Sequence, residues 1–177
     1  MTFKRWLPTF LAFPIGGFLA IETVGSLHDP LSAAAGGLTA GAVIGAGQWL
    51  ALRSRDIGRR WIAATAAAVA AGAALAAAIT GAGTEIPDVM VLGLVTGTTV
   101  GAAQAALLPH GRAAWTAVNA VSWPLGWLLT ANVIVDLERG HHMFGSSGAL
   151  LVTLLTGLTL RHLLAERTAD AVVQAAA

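Results

Sequence analysis

The chain has 177 residues, 56% of them hydrophobic and 11% charged, with mean hydropathy +0.73 and a formal net charge of +1. Soluble domains carry about 25% charged residues, so this composition leaves too little polar surface to cover a water-soluble body, and the near-neutral balance gives no reason to expect nucleic acid as a partner. The absence of cysteine excludes disulfides, thiol catalysis and thiolate metal sites, and leaves the redox compartment undetermined.

A spanning helix needs about 20 mostly apolar residues. The first stretch that qualifies is Trp6–Leu27, after Lys4-Arg5. A basic pair before an apolar run also opens a secretory signal, but this run is long and shares landmarks with later spans. Glu22 is the one carboxylate clearly inside a span. It lies about 7 Å from the outer end at 1.5 Å per residue. Intramembrane ionisable residues are functional candidates; an interfacial acid near Thr23 and His28 is the simpler alternative.

The second span, Leu31–Leu52, follows Asp29-Pro30, which suits a helix cap and first turn. It carries GLTAGAVIGAGQ, a G-x3-G-x3-G-x2-Q pattern from Gly37 to Gln48. The third, Trp61–Thr80, is mostly alanine. It is expected to be barely hydrophobic enough to insert alone, and to be packed on most sides. The fourth, Pro87–Leu108, repeats the pattern as GLVTGTTVGAAQ, Gly93 to Gln104. Positions i, i+4, i+8 and i+11 share one helix face, and a glycine stripe lets backbones approach closely. Gln48 and Gln104 should therefore face protein, as vestibule-lining amides or as interhelical hydrogen-bonding groups.

The fifth span, Ala113–Val135, carries Asn119, Trp123 and Trp127, with Pro124 predicting a kink. Its mid-span tryptophans either line an aromatic pocket for a lipid, quinone or isoprenoid, or fill space opposite glycines. The outer loop DLERGHHMFG places Glu138, His141 and His142 together. Imidazole and carboxylate are ligands for a divalent metal, although E-x2-H-H is no established signature and a solvated loop satisfies the same residues. The sixth span, Ser146–Leu160, leads to a tail at 161–177 that suits a short surface helix.

Charge sets the orientation. With the N-terminus inside, the inner segments hold Lys4, Arg5, Arg53, Arg55, Arg59, Arg60, Arg112, Arg161 and Arg167, whereas Arg139 alone lies outside. That asymmetry predicts six spans with both termini cytoplasmic.

The odd spans share a landmark: Trp6, Trp61 and Trp115 are each followed eleven residues later by Gly17, Gly72 and Gly126. These indoles are expected at the inner headgroup level. Among even spans, Gly45, Gly101 and Gly157 recur at 56-residue offsets, while Leu160 stands where the third Gln would fall. The expected fold is all-α and integral to a membrane. It comprises three tandem helical hairpins, at about 6–52, 61–108 and 113–160, around a pseudo-threefold axis.

The segment GAVIGAGQWLALRSR resembles a set of small bacterial multi-pass membrane proteins that carry G-x3-G-x2-Q-W-L-x-L-R, often with a partial second copy. The resemblance covers roughly 37–60 and 93–127; the second copy has Ala105 where the first has Trp49, and lacks a counterpart of Arg53. It implies a bacterial plasma (inner) membrane location and no particular activity or cofactor. Mitochondrial carriers also triplicate a hairpin, but their P-x-[DE]-x2-[KR] motif is missing, so transport is not inferred from them.

The sequence thus favours a non-enzymatic membrane module or assembly subunit. Its partners would be membrane lipids and a homo- or hetero-oligomer formed through glycine-lined faces. The rivals are a small-solute conduit lined by Gln48, Gln104, Asn119 and Glu22, and an intramembrane apolar-ligand or metal-dependent enzyme.

Overall fold

The computed structural model describes residues 3–55, 57–133 and 144–175, and every regular element among them is helical. Helix α1 runs over Phe3–Val24. Its first third tightens into a 3-10 turn at Leu7–Leu11. Pro8 stands at the second position of that turn and Pro14 three residues after its end, and neither can donate a ladder hydrogen bond. The helix stops where Gly25 takes φ 83° and its N–H bonds the Ile21 carbonyl, a conformation that favours glycine.

Helix α2 (Pro30–Leu52) starts at a capping box on Asp29, whose carboxylate accepts from the Leu31 and Ser32 N–H groups at 2.7 and 3.0 Å. The Ser32 backbone N–H, then its hydroxyl, then the Leu31 N–H hold the Asp29 carboxyl below its ordinary range. A carboxylate depressed in the folded state stabilises above its unfolded pKa, and that contribution is lost as pH falls through the folded value. On acidification, the protection of the Leu31 and Ser32 amides, taken as exchange relative to the intrinsic rate at each pH, should therefore fall. Asp29→Ala should lack that protection at every pH; a variant that keeps the wild-type protection profile would show that the Asp29 carboxylate does not cap α2.

Helix α3 (Arg60–Thr80) ends at Gly81, φ 68°. Helix α4 (Ile86–Ala105) begins at a second capping box, between Glu85 and Asp88. Helix α5 (Arg112–Val133) runs without interruption through Pro124. Helix α6 (Ser146–Ala175) continues past the expected end at Leu160 and takes in the tail. No Gly or Pro follows Gly157 to stop it.

Helices α1 to α4 are each long and apolar enough to cross a membrane. Helix α3 corrects one expectation. Its mean hydropathy of 2.1 is the highest of the four, because alanine counts as apolar. It is also not packed on most sides: 44% of its apolar window is buried, against 33% in the other three.

Each helix packs on the next in sequence, and α6 returns to α1 at the 3-10 turn, closing a ring. Large apolar side chains face out, among them Phe18, Leu38, Leu75, Ile79, Leu94 and Leu158. Small residues and tryptophans face in. This inverts the usual soluble arrangement, where large aliphatic side chains fill the core.

Glycine sets the closest approaches. A Cβ on Gly37 would lie 2.8 Å from the Val69 carbonyl oxygen, and one on Gly45 3.0 Å from Ile62 Cα. On α4, a Cβ on Gly93 would lie 2.6 Å from Pro124 Cα, and one on Gly97 2.5 Å from the Asn119 carbonyl oxygen. The two stripes therefore meet α3 and α5 of the same chain. Gly157 on α6 meets Trp6 and Phe3 of α1.

Candidate functional site

The end of the bundle that carries Lys4, Arg53, Arg60 and Arg112 is the basic end. Just inside it, α1, α3 and α5 each contribute one tryptophan: Trp6, Trp61 and Trp115, all 0% exposed. Trp115 stands between the others, with ring centroids 6.2 Å from Trp6 and 6.1 Å from Trp61. A buried indole N–H requires an acceptor, and each finds one on a neighbouring even-numbered helix. Trp61 donates to Gln48 Oε1 at 3.0 Å and Trp115 to Gln104 Oε1 at 3.1 Å. Trp6 donates to the Thr153 carbonyl at 3.0 Å and Thr156 Oγ1 at 3.3 Å. On α6 no amide serves Trp6; Leu160 packs in the same cluster as that indole. The acceptors for Trp6 stand about one turn further along.

The two amides also bond each other. Gln104 Nε2 donates to Gln48 Oε1 at 2.8 Å and to Thr65 Oγ1 at 2.9 Å. Thr65 in turn donates to the Trp61 carbonyl at 2.8 Å. Asn119 extends the network: it donates to the Trp115 carbonyl at 2.9 Å and accepts from Trp123 Nε1 at 3.2 Å. The layer joins α2, α3, α4 and α5, and within it both Gln104 amide atoms, Gln48 Oε1 and the indole N–H groups all have partners inside the chain.

The expected headgroup position of the three tryptophans is corrected by this burial. Their N–H groups reach acceptors inside the ring, so the indoles turn away from any interface. Trp49, half-buried, is the indole near the basic surface, donating to the Ile57 carbonyl at 3.1 Å with the Arg59 guanidinium 5.8 Å over its ring.

Beyond the layer, towards the opposite end, lies an apolar crevice of about 90 Å³. Phe13, Ile44, Val69, Thr96, Trp123 and Trp127 line it at mid-bundle. Leu27, Thr80, Gly83 and Asp88, at helix ends, line it further out. Phe13, Trp123 and Phe144 form an aromatic wall with centroids 5.4 to 5.6 Å apart. Between them the lining is alanine and glycine, which leaves space where branched side chains would fill it. Thr96 is 3% exposed, and its hydroxyl has no hydrogen-bond partner.

The structure thus brings Gln48, Gln104 and Asn119 into one network and places Trp123 between that network and the crevice. Glu22 stands apart, exposed near the end of α1 and away from both features. Glu138, His141 and His142 lie outside the described residues. Among the described residues, no three His, Asp or Glu side chains are placed to hold a metal ion.

Sequence reasoning missed Thr65, Thr96 and Thr156. A signal for Thr65 existed: it stands four residues after Trp61, as Asn119 stands four after Trp115. Thr96 carried none, because its lack of a partner is a property of the assembled bundle. Comparison of the chain with protein-family models, curated proteins and solved structures finds no match.

Proposed function

We propose that this protein is a non-enzymatic integral membrane module. It would have six spans arranged as three tandem hairpins about a pseudo-threefold axis, with both termini cytoplasmic. The observation that carries this reading is the amide–indole layer. Gln104, Gln48 Oε1 and the three indole N–H groups are bonded inside the chain, as a packing device requires and a solute path does not. An even helix accepting from the next odd helix's tryptophan N–H, with α6 serving Trp6, is the contact rule a threefold repeat would produce. The resemblance over 37–60 and the basic asymmetry support a bacterial inner membrane. Because the glycine stripes are used within the chain, an assembly partner would meet the outward leucine-rich faces.

Two measurements test this. The chain lacks cysteine, so single cysteines report topology cleanly. Ser54→Cys and Arg112→Cys should label from the cytoplasmic side, and Thr84→Cys and Ser147→Cys from the other; a mixed pattern would sink the six-span arrangement. In proteoliposomes the protein should pass neither ions nor small polar solutes. Flux that disappears in Gln48→Leu/Gln104→Leu would establish the conduit instead.

The crevice favours a second reading, in which the module holds a small apolar group or the end of an alkyl chain. Pockets of this kind are apolar with a few placed polar groups. Here Thr96 Oγ1 is the buried hydroxyl without a partner. Native mass spectrometry should then release a stoichiometric apolar ligand, lost in Ala73→Phe, which fills the crevice from α3. A bare wild-type chain would remove this reading.

A further inference from the structure

At the basic end a second concavity opens between α1 and α2, a groove of about 700 Å³ lined by Lys4, Arg5 and Arg53. Ligand clefts commonly measure about 300–1,000 Å³. The 3-10 turn that contains Pro8 runs beside it, and Gly47 lets α2 come close at Ala12, where an added Cβ would lie 2.9 Å from the Ala12 Cβ. Below the cations the walls are apolar, formed by Pro8, Ile15, Val43 and Leu50. Ile15 and Leu50 are 51% and 53% exposed, so the apolar part of the groove lies open at the bundle surface.

Two observations point to a ligand. Among the described residues the ion pair present is His28–Asp29, on the loop before α2 at the other end, and none of the described carboxylates pairs with Lys4, Arg5 or Arg53. Three cations lining one groove repel each other unless an anion joins them. Thr9, between the cations and the apolar walls, is 5% exposed, and its hydroxyl has no hydrogen-bond partner. A helical threonine normally satisfies this group on the carbonyl one turn back.

We propose that this groove is a binding site for one anionic phospholipid. Its phosphate is held by Lys4, Arg5 and Arg53, and an acyl chain runs along Ile15, Val43 and Leu50. The inference rests on the membrane reading above. A polar phosphate ligand would use the cations and leave the apolar walls wet; an uncharged lipid would use the walls and leave the cations unpaired. An anionic lipid satisfies both. Basic clusters beside spanning helices attract anionic headgroups in general. What is specific here is the pairing of that charge with an apolar groove in register beneath it.

The test uses the full chain in nanodiscs, titrated with phosphatidylglycerol and read by native mass spectrometry. One phosphatidylglycerol should be retained against an excess of phosphatidylcholine. Lys4→Gln/Arg5→Gln/Arg53→Gln should weaken retention by roughly a hundredfold, with the thermal midpoint in zwitterionic micelles unchanged. Arg60→Gln/Arg112→Gln/Arg161→Gln removes the same charge elsewhere and should retain the lipid. Leu50→Gln should weaken retention while leaving the cations in place. Equal losses in the two charge triples would reduce the effect to general surface charge and overturn the site. Glycerol phosphate competing as well as the diacyl lipid would overturn the role of the apolar walls. A chain that enters nanodiscs with no lipid preference would overturn this proposal alone; a chain that fails to enter them would overturn the membrane reading itself.

Discussion

Gln104→Leu should destabilise the bundle by about 2–4 kcal/mol, more than most single substitutions cost. Gln104 is 0% exposed, accepts from Trp115 and donates to both Gln48 and Thr65. Leucine replaces the amide without opening a large void, so the cost lies in polar bookkeeping rather than volume. The Trp115 N–H loses its acceptor in a site closed to solvent. Leaving a buried donor unpaired costs about 1–3 kcal/mol, and interhelical hydrogen bonds in membranes average about 0.6 and reach about 1.7 kcal/mol. Adding Trp115→Phe to Gln104→Leu removes the orphaned donor, so the pair should cost less than the sum of the single changes by about 1–2 kcal/mol. The quantity to measure is reversible unfolding in mixed micelles. Additive costs would mean that the amide and the indole do not act together. Trp6 illustrates the condition for tolerance: it packs beside Leu160 on α6, and its N–H is met by the Thr153 carbonyl and Thr156 hydroxyl instead of an amide.

Gly93→Ala should cost about 1–3 kcal/mol through overpacking, although alanine is the better helix former. The new methyl would lie 2.6 Å from Pro124 Cα and 2.7 Å from Pro124 N. Both are backbone atoms, and a proline ring cannot rotate aside. Helices α4 and α5 must therefore separate, which loosens the Gly97 and Gly101 contacts along the same seam. Gly45→Ala meets Ile62 Cα and Thr65 Cβ at 3.0 Å each and should cost less. Gly58→Ala meets nothing within 4 Å and should stay within about 0.5 kcal/mol of wild type. Thermal midpoints of the three variants in one detergent test the order. A Gly93→Ala midpoint equal to that of Gly58→Ala would show that the seam is slack.

Much of the helical framework was legible because its signals are local. Apolar length located the helices, and Asp29-Pro30 marked where α2 begins. The spacing of Gly37, Gly41, Gly45 and Gln48 put four residues on one face, whatever that face would meet. The sixth span and the helical tail join into one helix: apolar character stops near Leu160, but helix propensity does not.

The site was less legible because it is made of relations between distant residues. Trp6 and Thr156 are 150 positions apart, and nothing local at either end announces the other. Trp61 and Trp115 looked like interface anchors, since a tryptophan at a helix start ordinarily has water or headgroups for its N–H. Only the ring of helices supplies buried acceptors and turns the indoles inward. The crevice is a deficit of side-chain volume. A run of alanines does not say whether a neighbour fills the space it leaves.

The sequence by itself determined an all-helical, membrane-suited chain, its basic asymmetry and the burial of Gln48 and Gln104. These follow from composition and from periodicity along a single helix. The tertiary structure alone decided that the glycine stripes of α2 and α4 meet α3 and α5, that the amides serve the tryptophans, and that Glu22 stands apart from both. It also decided that Lys4, Arg5 and Arg53 share one groove. Those outcomes depend on which faces meet when six helices close, and close packing fixes that globally rather than residue by residue.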